Sequence, residues 1–116
     1  MEDALYPPAT LEIAKKREKL TPETLNAWRT FSRQVFTDGA LPAKTKDLIA
    51  IAVAHVTQCP YCIRAHTKSA LAKGATDKEI MEAVWVAAEM RAGGAVAHSA
   101  IAIDVMKEHA SHEEER

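Results

Sequence analysis

From Leu48 to Ala54 the chain reads Leu-Ile-Ala-Ile-Ala-Val-Ala, apolar on every face of whatever element it forms. Such a segment has to be covered on all sides, so the rest of the fold must be organised around it. Its β-branched residues admit a buried strand as the competing assignment. The alanines, and the length of the surrounding segment from about Ala43 to Thr57, favour a buried helix.

The neighbouring segments carry helical punctuation. After an irregular start ending at Pro7-Pro8, a first helix is expected from about Ala9 to Leu20. Thr21-Pro22 marks a second, with Thr as N-cap and Pro in the first turn. Leu25, Trp28, Phe31 and Val35 recur at helical spacing and make one apolar face. Asp38-Gly39 is expected to stop that helix, with Gly39 in the left-handed conformation. A fourth helix opens at Cys59-Pro60 and ends at Lys73-Gly74. Thr76 and Glu79 form a capping box that starts a fifth, running to about Arg91. Gly93-Gly94 is expected to break it before a sixth, about Ala95 to His109, that is again apolar on most faces. The Glu113-Glu114-Glu115 run reads as a solvated, frayed tail. No strand pattern or interdomain linker is visible.

The fold class is therefore all-α, a compact bundle of about six helices in a single domain, residues 1–116 with a core of about 25–105. The third and sixth helices are too apolar to be surface elements of so small a monomer, which points to a homo-oligomer.

Charge and hydropathy exclude other classes. The formal net charge is −1, with acids and bases mixed along the chain, so no basic stripe predicts a nucleic-acid partner. The longest mainly apolar stretch, Leu48 to Val56, is far too short to span a bilayer. The Met-Glu-Asp start shows no basic region followed by an apolar run. A cytoplasmic location is expected.

The chemistry concentrates in Cys59-Pro60-Tyr61-Cys62-Ile63-Arg64-Ala65-His66, which holds both cysteines of the chain. On a helix, offsets of three, four and seven bring Cys59, Cys62 and His66 to one side. Two thiols at that spacing can form a reversible disulfide, and an imidazole one turn away can take a thiol proton. A permanent crosslink would close a tiny loop and remove little unfolded-state entropy. A zinc site would have three ligands here, but such sites usually draw on two separated pairs, and no second cysteine pair exists. Inert cysteines remain the third alternative. The redox reading is adopted, with no metal and no cofactor. Two effects compete over which thiol ionises: the helix N-terminus favours Cys59, and His66 favours Cys62. Spacing alone does not rank them.

A histidine base works better when a carboxylate orients it. Asp47, at the edge of the apolar run, is the candidate; it could equally be an ordinary first-turn acid complementing the helix dipole. His55 would approach Cys59 if its helix persisted that far, and otherwise is a core or interface histidine. Asp104 and Glu89 are further acids among apolar residues, free to pair with a base such as Arg91 or to face solvent. Tyr61 reads as a packing residue.

The stretch from Leu41 to Ala54, the octapeptide from Cys59 to His66, and Gly74-Ala75-Thr76-Asp77-Lys78-Glu79-Ile80 together resemble the core of the carboxymuconolactone decarboxylase family, and more narrowly its AhpD-like alkylhydroperoxidase branch. The resemblance spans roughly residues 25 to 105. It implies an all-helical subunit assembling into trimers or hexamers. It also implies a proton relay in which Cys62 attacks the peroxide, Cys59 resolves and His66 relays. The branch has a glutamate twelve residues before the first cysteine; Asp47 stands there instead, one methylene shorter.

The function expected from residues and resemblance together is a thiol-dependent peroxidase acting on organic hydroperoxides or hydrogen peroxide, regenerated by an external dithiol. The alternatives are a general thiol–disulfide oxidoreductase, or a redox-sensing helical oligomer that binds a ligand or partner.

Overall fold

The computed structural model describes residues 5–115. The Met1-Glu2-Asp3 start, on which the expectation about a leader rests, lies outside them. Five helices follow one another: α1 Leu11–Leu20, α2 Pro22–Val35, α3 Ala43–Thr57, α4 Pro60–Ala72 and α5 Asp77–Glu115. There is no strand among the described residues, so the all-α expectation holds.

The apolar run is the centre of the molecule. α3 packs against both α4 and α5, whereas α1 and α2 pack on each other. Ile51, Ala70 and Ala75 are buried together, with Leu48, Ile80 and Val84 around them. Small alanines at the contacts let the helices approach closely, which compensates for a core with few large side chains.

Local chemistry sets the helix limits. Pro42, the N-cap of α3, has no side chain that can cap, and Asp38 Oδ1 accepts the exposed Ala43 N–H at 2.6 Å instead. α3 ends where Gln58 turns left-handed at φ 58°, and both Gln58 and Cys59 donate their N–H groups to the Ala54 carbonyl. That turn corrects the idea that His55 might reach Cys59 along one helix. The expected capping box is present: Glu79 N–H donates to Thr76 Oγ1 at 3.1 Å, and Thr76 N–H donates to Glu79 Oε1 at 2.9 Å. Gly74 has φ 90° and ends the turn after α4, a conformation that costs glycine little.

Several expectations fail. α2 stops at Val35, and Gly39 is not left-handed. Gly93-Gly94 does not break the chain: α5 is one helix of 39 residues. A glycine inside a helix costs only about 1 kcal/mol relative to alanine, and neither a proline nor a new cap follows this pair to enforce a stop. The count is therefore five helices, and the acidic run at 113–115 is helical. The shape is elongated rather than compact, with extents of 67 × 35 × 33 Å. Thirty-nine residues at about 1.5 Å each make α5 roughly 58 Å long, which sets the long axis.

Beyond Gly94 every described side chain of α5 is exposed. Val96 is 72% exposed, and Ile101, Ile103, Val105 and Met106 are all more than half exposed. The α2 face is similarly open, with Trp28 at 60% and Phe31 at 58%. No described helix is long and apolar enough to cross a membrane.

Candidate active site

The site lies where α3 and α4 face each other. Cys59 is the N-cap of α4, and its Sγ accepts the Cys62 N–H at 3.3 Å. A sulfur thus does the work usually given to a serine or aspartate oxygen. Both thiols are free; Cys59 is half-buried and Cys62 exposed. The side-chain hydrogen bond from Cys62, with the backbone N–H groups of Cys62 and Tyr61, holds the Cys59 thiol below its ordinary value. Cys62 moves the other way. Its bond to Cys59, then burial, then the charge of Cys59 push its thiol up. Of the two thiols Cys59 is therefore the one that ionises first, with Cys62 as the hydrogen-bond donor to it.

His66 is one turn beyond Cys62. Its Nδ1 lies 3.0 Å from Asp47 Oδ1. Asp47 is 1% exposed. Burial alone would raise its carboxyl, but hydrogen bonds from Lys73, His66 and Ser69 outweigh that and hold it below the ordinary carboxylate value. An ionised carboxylate only accepts, so Nδ1 carries a hydrogen, and in the neutral ring Nε2 is left as the acceptor. The imidazole also packs on Phe36, with ring centroids 4.7 Å apart. Asp47 is therefore not merely a first-turn acid.

Cys62 and His66 open onto a cavity of about 410 Å³ walled by Val35, Phe36, Ile49 and Val53. The end of α2 supplies one wall, and the outward faces of α3 the other. Tyr61, between the cysteines, points elsewhere: its hydroxyl donates to the Pro7 carbonyl at 2.7 Å and its ring meets Tyr6 edge-on.

The other candidates stay away from the thiols. His55 Nδ1–H donates to the Ile51 carbonyl at 2.7 Å. Arg91 pairs with neither Glu89 nor Asp104; it donates to the Val56 carbonyl at 3.3 Å, near the end of α3. Among the described residues, no three His, Cys, Asp or Glu side chains form a group that could hold a metal ion.

Two residues escaped the sequence reading. Ser69 Oγ donates to Asp47 Oδ2 at 2.8 Å, and Lys73 Nζ donates to the same oxygen at 2.6 Å. They follow His66 at offsets of three and seven, so the helical spacing placed all three on one face. That spacing was the available signal.

The fold and this arrangement define a class before any comparison is made: a helical subunit carrying a Cys-x-x-Cys pair and an Asp–His dyad beside an apolar cavity. The carboxymuconolactone decarboxylase family model matches residues 22–104, and the chain belongs to that family. It is 59% identical over 83 residues, 72% of this chain and 75% of the relative, to uncharacterized protein 4 in the cox locus of Paracoccus denitrificans. Solved structures agree. A carboxymuconolactone decarboxylase family protein from Legionella pneumophila shares 33% identity at a TM-score of 0.66, covering 84% of this chain and 87% of its own. A family member from Thermotoga maritima, described as having a possible involvement in antioxidative response, shares 31% identity at a TM-score of 0.53, covering 79% and 97%.

Proposed function

We propose that this protein is a thiol peroxidase that reduces hydroperoxides through Cys62 and Cys59. The observation that carries the reading is the conjunction at His66: its Nδ1 bonds to buried Asp47, while the ring shares one apolar cavity with Cys62. A base held in one tautomer beside a thiol is what deprotonation of that thiol requires.

The cycle balances without a cofactor. Cys62 sulfur attacks the distal oxygen of the hydroperoxide as the O–O bond breaks. His66 takes the thiol proton and returns it to the departing alkoxide, so an alcohol leaves and Cys62 becomes a sulfenic acid. The Cys59 sulfur then attacks Cys62, water leaves, and a disulfide forms. An external dithiol reduces it by exchange and is itself oxidised. The apolar walls suit a hydroperoxide with an organic substituent. The Thermotoga maritima relative, described as having a possible involvement in antioxidative response, supports the reading.

One observation favours a second reading. The lowered thiol is Cys59, not Cys62, as suits a thiol that attacks a partner's disulfide. In that case the protein is a general thiol–disulfide oxidoreductase. The peroxidase reading instead requires Cys62 to give up its proton to His66 when substrate occupies the cavity.

Assembly belongs to the same proposal. A second copy of the chain covers the open apolar faces of α2 and of α5 beyond Gly94; a trimer or hexamer is what the family resemblance implies.

Trapping of the sulfenic acid with a dimedone probe tests the assignment. Cys59→Ser is expected to accumulate the adduct at Cys62 after hydroperoxide is added, and Cys62→Ser to give none. The reverse pattern exchanges the two roles. No adduct in either variant, with disulfide exchange intact in the parent, selects the second reading.

A further inference from the structure

Asp47 is an acid that α3 buries with its charge intact, and the reaction above makes no use of the two side chains that allow this. A buried carboxylate persists only if it is paired and its lone pairs are filled. Ser69 and Lys73 divide that work with His66. Oδ1 takes His66 Nδ1–H at 3.0 Å, whereas Oδ2 takes Ser69 Oγ–H at 2.8 Å and Lys73 Nζ–H at 2.6 Å. Lys73 also donates to Ser69 Oγ at 2.6 Å. The serine oxygen is thereby used as an acceptor, and its own hydrogen is turned toward Asp47.

The other charges around this point are committed elsewhere. Lys44, on α3, pairs with Glu79 of α5 at 3.1 Å. Lys46, also on α3, donates to the Thr37 carbonyl ahead of the helix at 2.6 Å. On α4, His66 and Lys73 are the two titratable groups bonded to the carboxylate. Among the described residues Lys73 is thus the ammonium that balances Asp47.

We propose that Lys73, oriented through Ser69, is a positioning residue for the proton relay. It keeps Asp47 ionised and occupied on one oxygen, so that the other is reserved for His66 Nδ1–H and Nε2 stays available to the Cys62 thiol. The inference rests on the peroxidase reading for its purpose, but not for its test. The competing explanation is that Lys73, the C-cap of α4, is only a cation complementing a helix C-terminus.

The sign of the effect follows from linkage. Asp47 has a lowered folded value, so its contribution to stability is present above the unfolded value and is lost as pH falls through the folded one. Lys73 supplies the leading bond that opposes burial. Without it the folded value rises, and both stability and His66-assisted thiol ionisation fail at a higher pH.

The experiment measures two pH profiles, thermal unfolding and the rate of thiol reaction with dithiodipyridine, the latter in a Cys59→Ser background so that Cys62 is the thiol read. The variants are Lys73→Met, Lys73→Arg, Asp47→Asn and the Lys73→Met/Asp47→Asn double. Lys73→Met is expected to shift the acid limb of both profiles upward. It should slow thiol reaction roughly tenfold at mildly acid pH, the equivalent of one pK unit, and converge with the parent at alkaline pH. Lys73→Arg should restore most of the parent profile, and the double variant should behave as Asp47→Asn alone. Coincident profiles for Lys73→Met and the parent, or the same loss with and without Asp47, would leave Lys73 as a helix-end cation and overturn the proposal. If Lys73→Met does not fold, Ser69→Ala and Lys73→Gln take its place, with the same displacement expected and the same outcome decisive. Neither readout uses peroxide, so a parent without peroxide turnover would sink the peroxidase reading and leave this test standing.

Discussion

α3 and the second half of α5 are written in nearly the same alphabet of Ala, Ile and Val, yet only α3 buries part of that surface within the subunit. On α3, Ile51 is fully buried and Ala54 nearly so, while Ile49 and Val53, which line the cavity, stay 47% and 52% exposed. On α5, Ile101 is 63% exposed and its apolar neighbours are similarly open. The difference lies in what lies alongside. α3 has α4 on one side and α5 on the other, whereas α5 outruns both partners after Gly94. An all-round apolar pattern states that a helix must be covered; it does not state whether the cover comes from the same chain or from another copy.

The largest expected effect would break that comparison outright. Ile101→Glu places a charge on the open half of α5 and should reduce an assembly to single subunits of 12.7 kDa in light scattering. A parent that already scatters as one subunit at micromolar concentration would mean that nothing covers α5, and the contrast with α3 would lose its explanation.

Next in size are paired truncations. Ile51→Ala removes a fully buried side chain and should cost about 2–5 kcal/mol in denaturant unfolding. Ile103→Ala, measured in the dissociated Ile101→Glu background, should stay within about 0.5 kcal/mol. Similar costs at both positions would show that the two regions do not differ in the way described.

Acids sharpen the comparison further. Asp47 on α3 is buried and triply bonded; Asp104 on α5 is exposed. Asp47→Asn leaves Lys73 without its carboxylate and should cost about 1–3 kcal/mol at neutral pH. It should also flatten the acid limb of the stability profile, because the lowered Asp47 contributes stability that is lost as pH falls. Asp104→Asn should do neither. Equal behaviour of the two variants in calorimetry across pH would remove the special status of Asp47.

The smallest effect concerns the expected break. A Cβ at Gly94 meets nothing within 4 Å, so Gly94→Ala should stabilise the subunit by up to about 1 kcal/mol through helix propensity. If it weakened assembly instead, Gly94 would mark a close approach between copies.

What the sequence made legible was local or repetitive. The bounds of α3, the Thr76–Glu79 capping box and the stop at Gly74 depend on neighbours a few residues apart, and each is found where its chemistry placed it. Gly93-Gly94 misled because a breaker acts only when the helix has little else to gain; here Ala and Val on both sides carry the pattern through. Gly39 misled because α2 ends early at Val35, leaving no left-handed cap for it to provide. Within the site, Cys59, Cys62 and His66 were visible as one motif. Asp47 entered through the need for an orienting carboxylate and through family resemblance. Ser69 and Lys73 stayed hidden because their role exists only once α3 is laid against α4, across 22 and 26 residues of chain. The order of the two thiols was open in the sequence because a helix end and a histidine favour different sulfurs; in the structure the hydrogen bonds at the helix end lower Cys59 and raise Cys62.

The most direct test of the account is to mix reduced protein with an organic hydroperoxide and follow thiol loss and peroxide consumption together, with and without a dithiol. The account predicts rapid loss of both thiols against one equivalent of peroxide, a mass decrease of two hydrogens, and sustained turnover once dithiol is supplied. Thiols that survive the peroxide, or that are lost only to added disulfides, would contradict it.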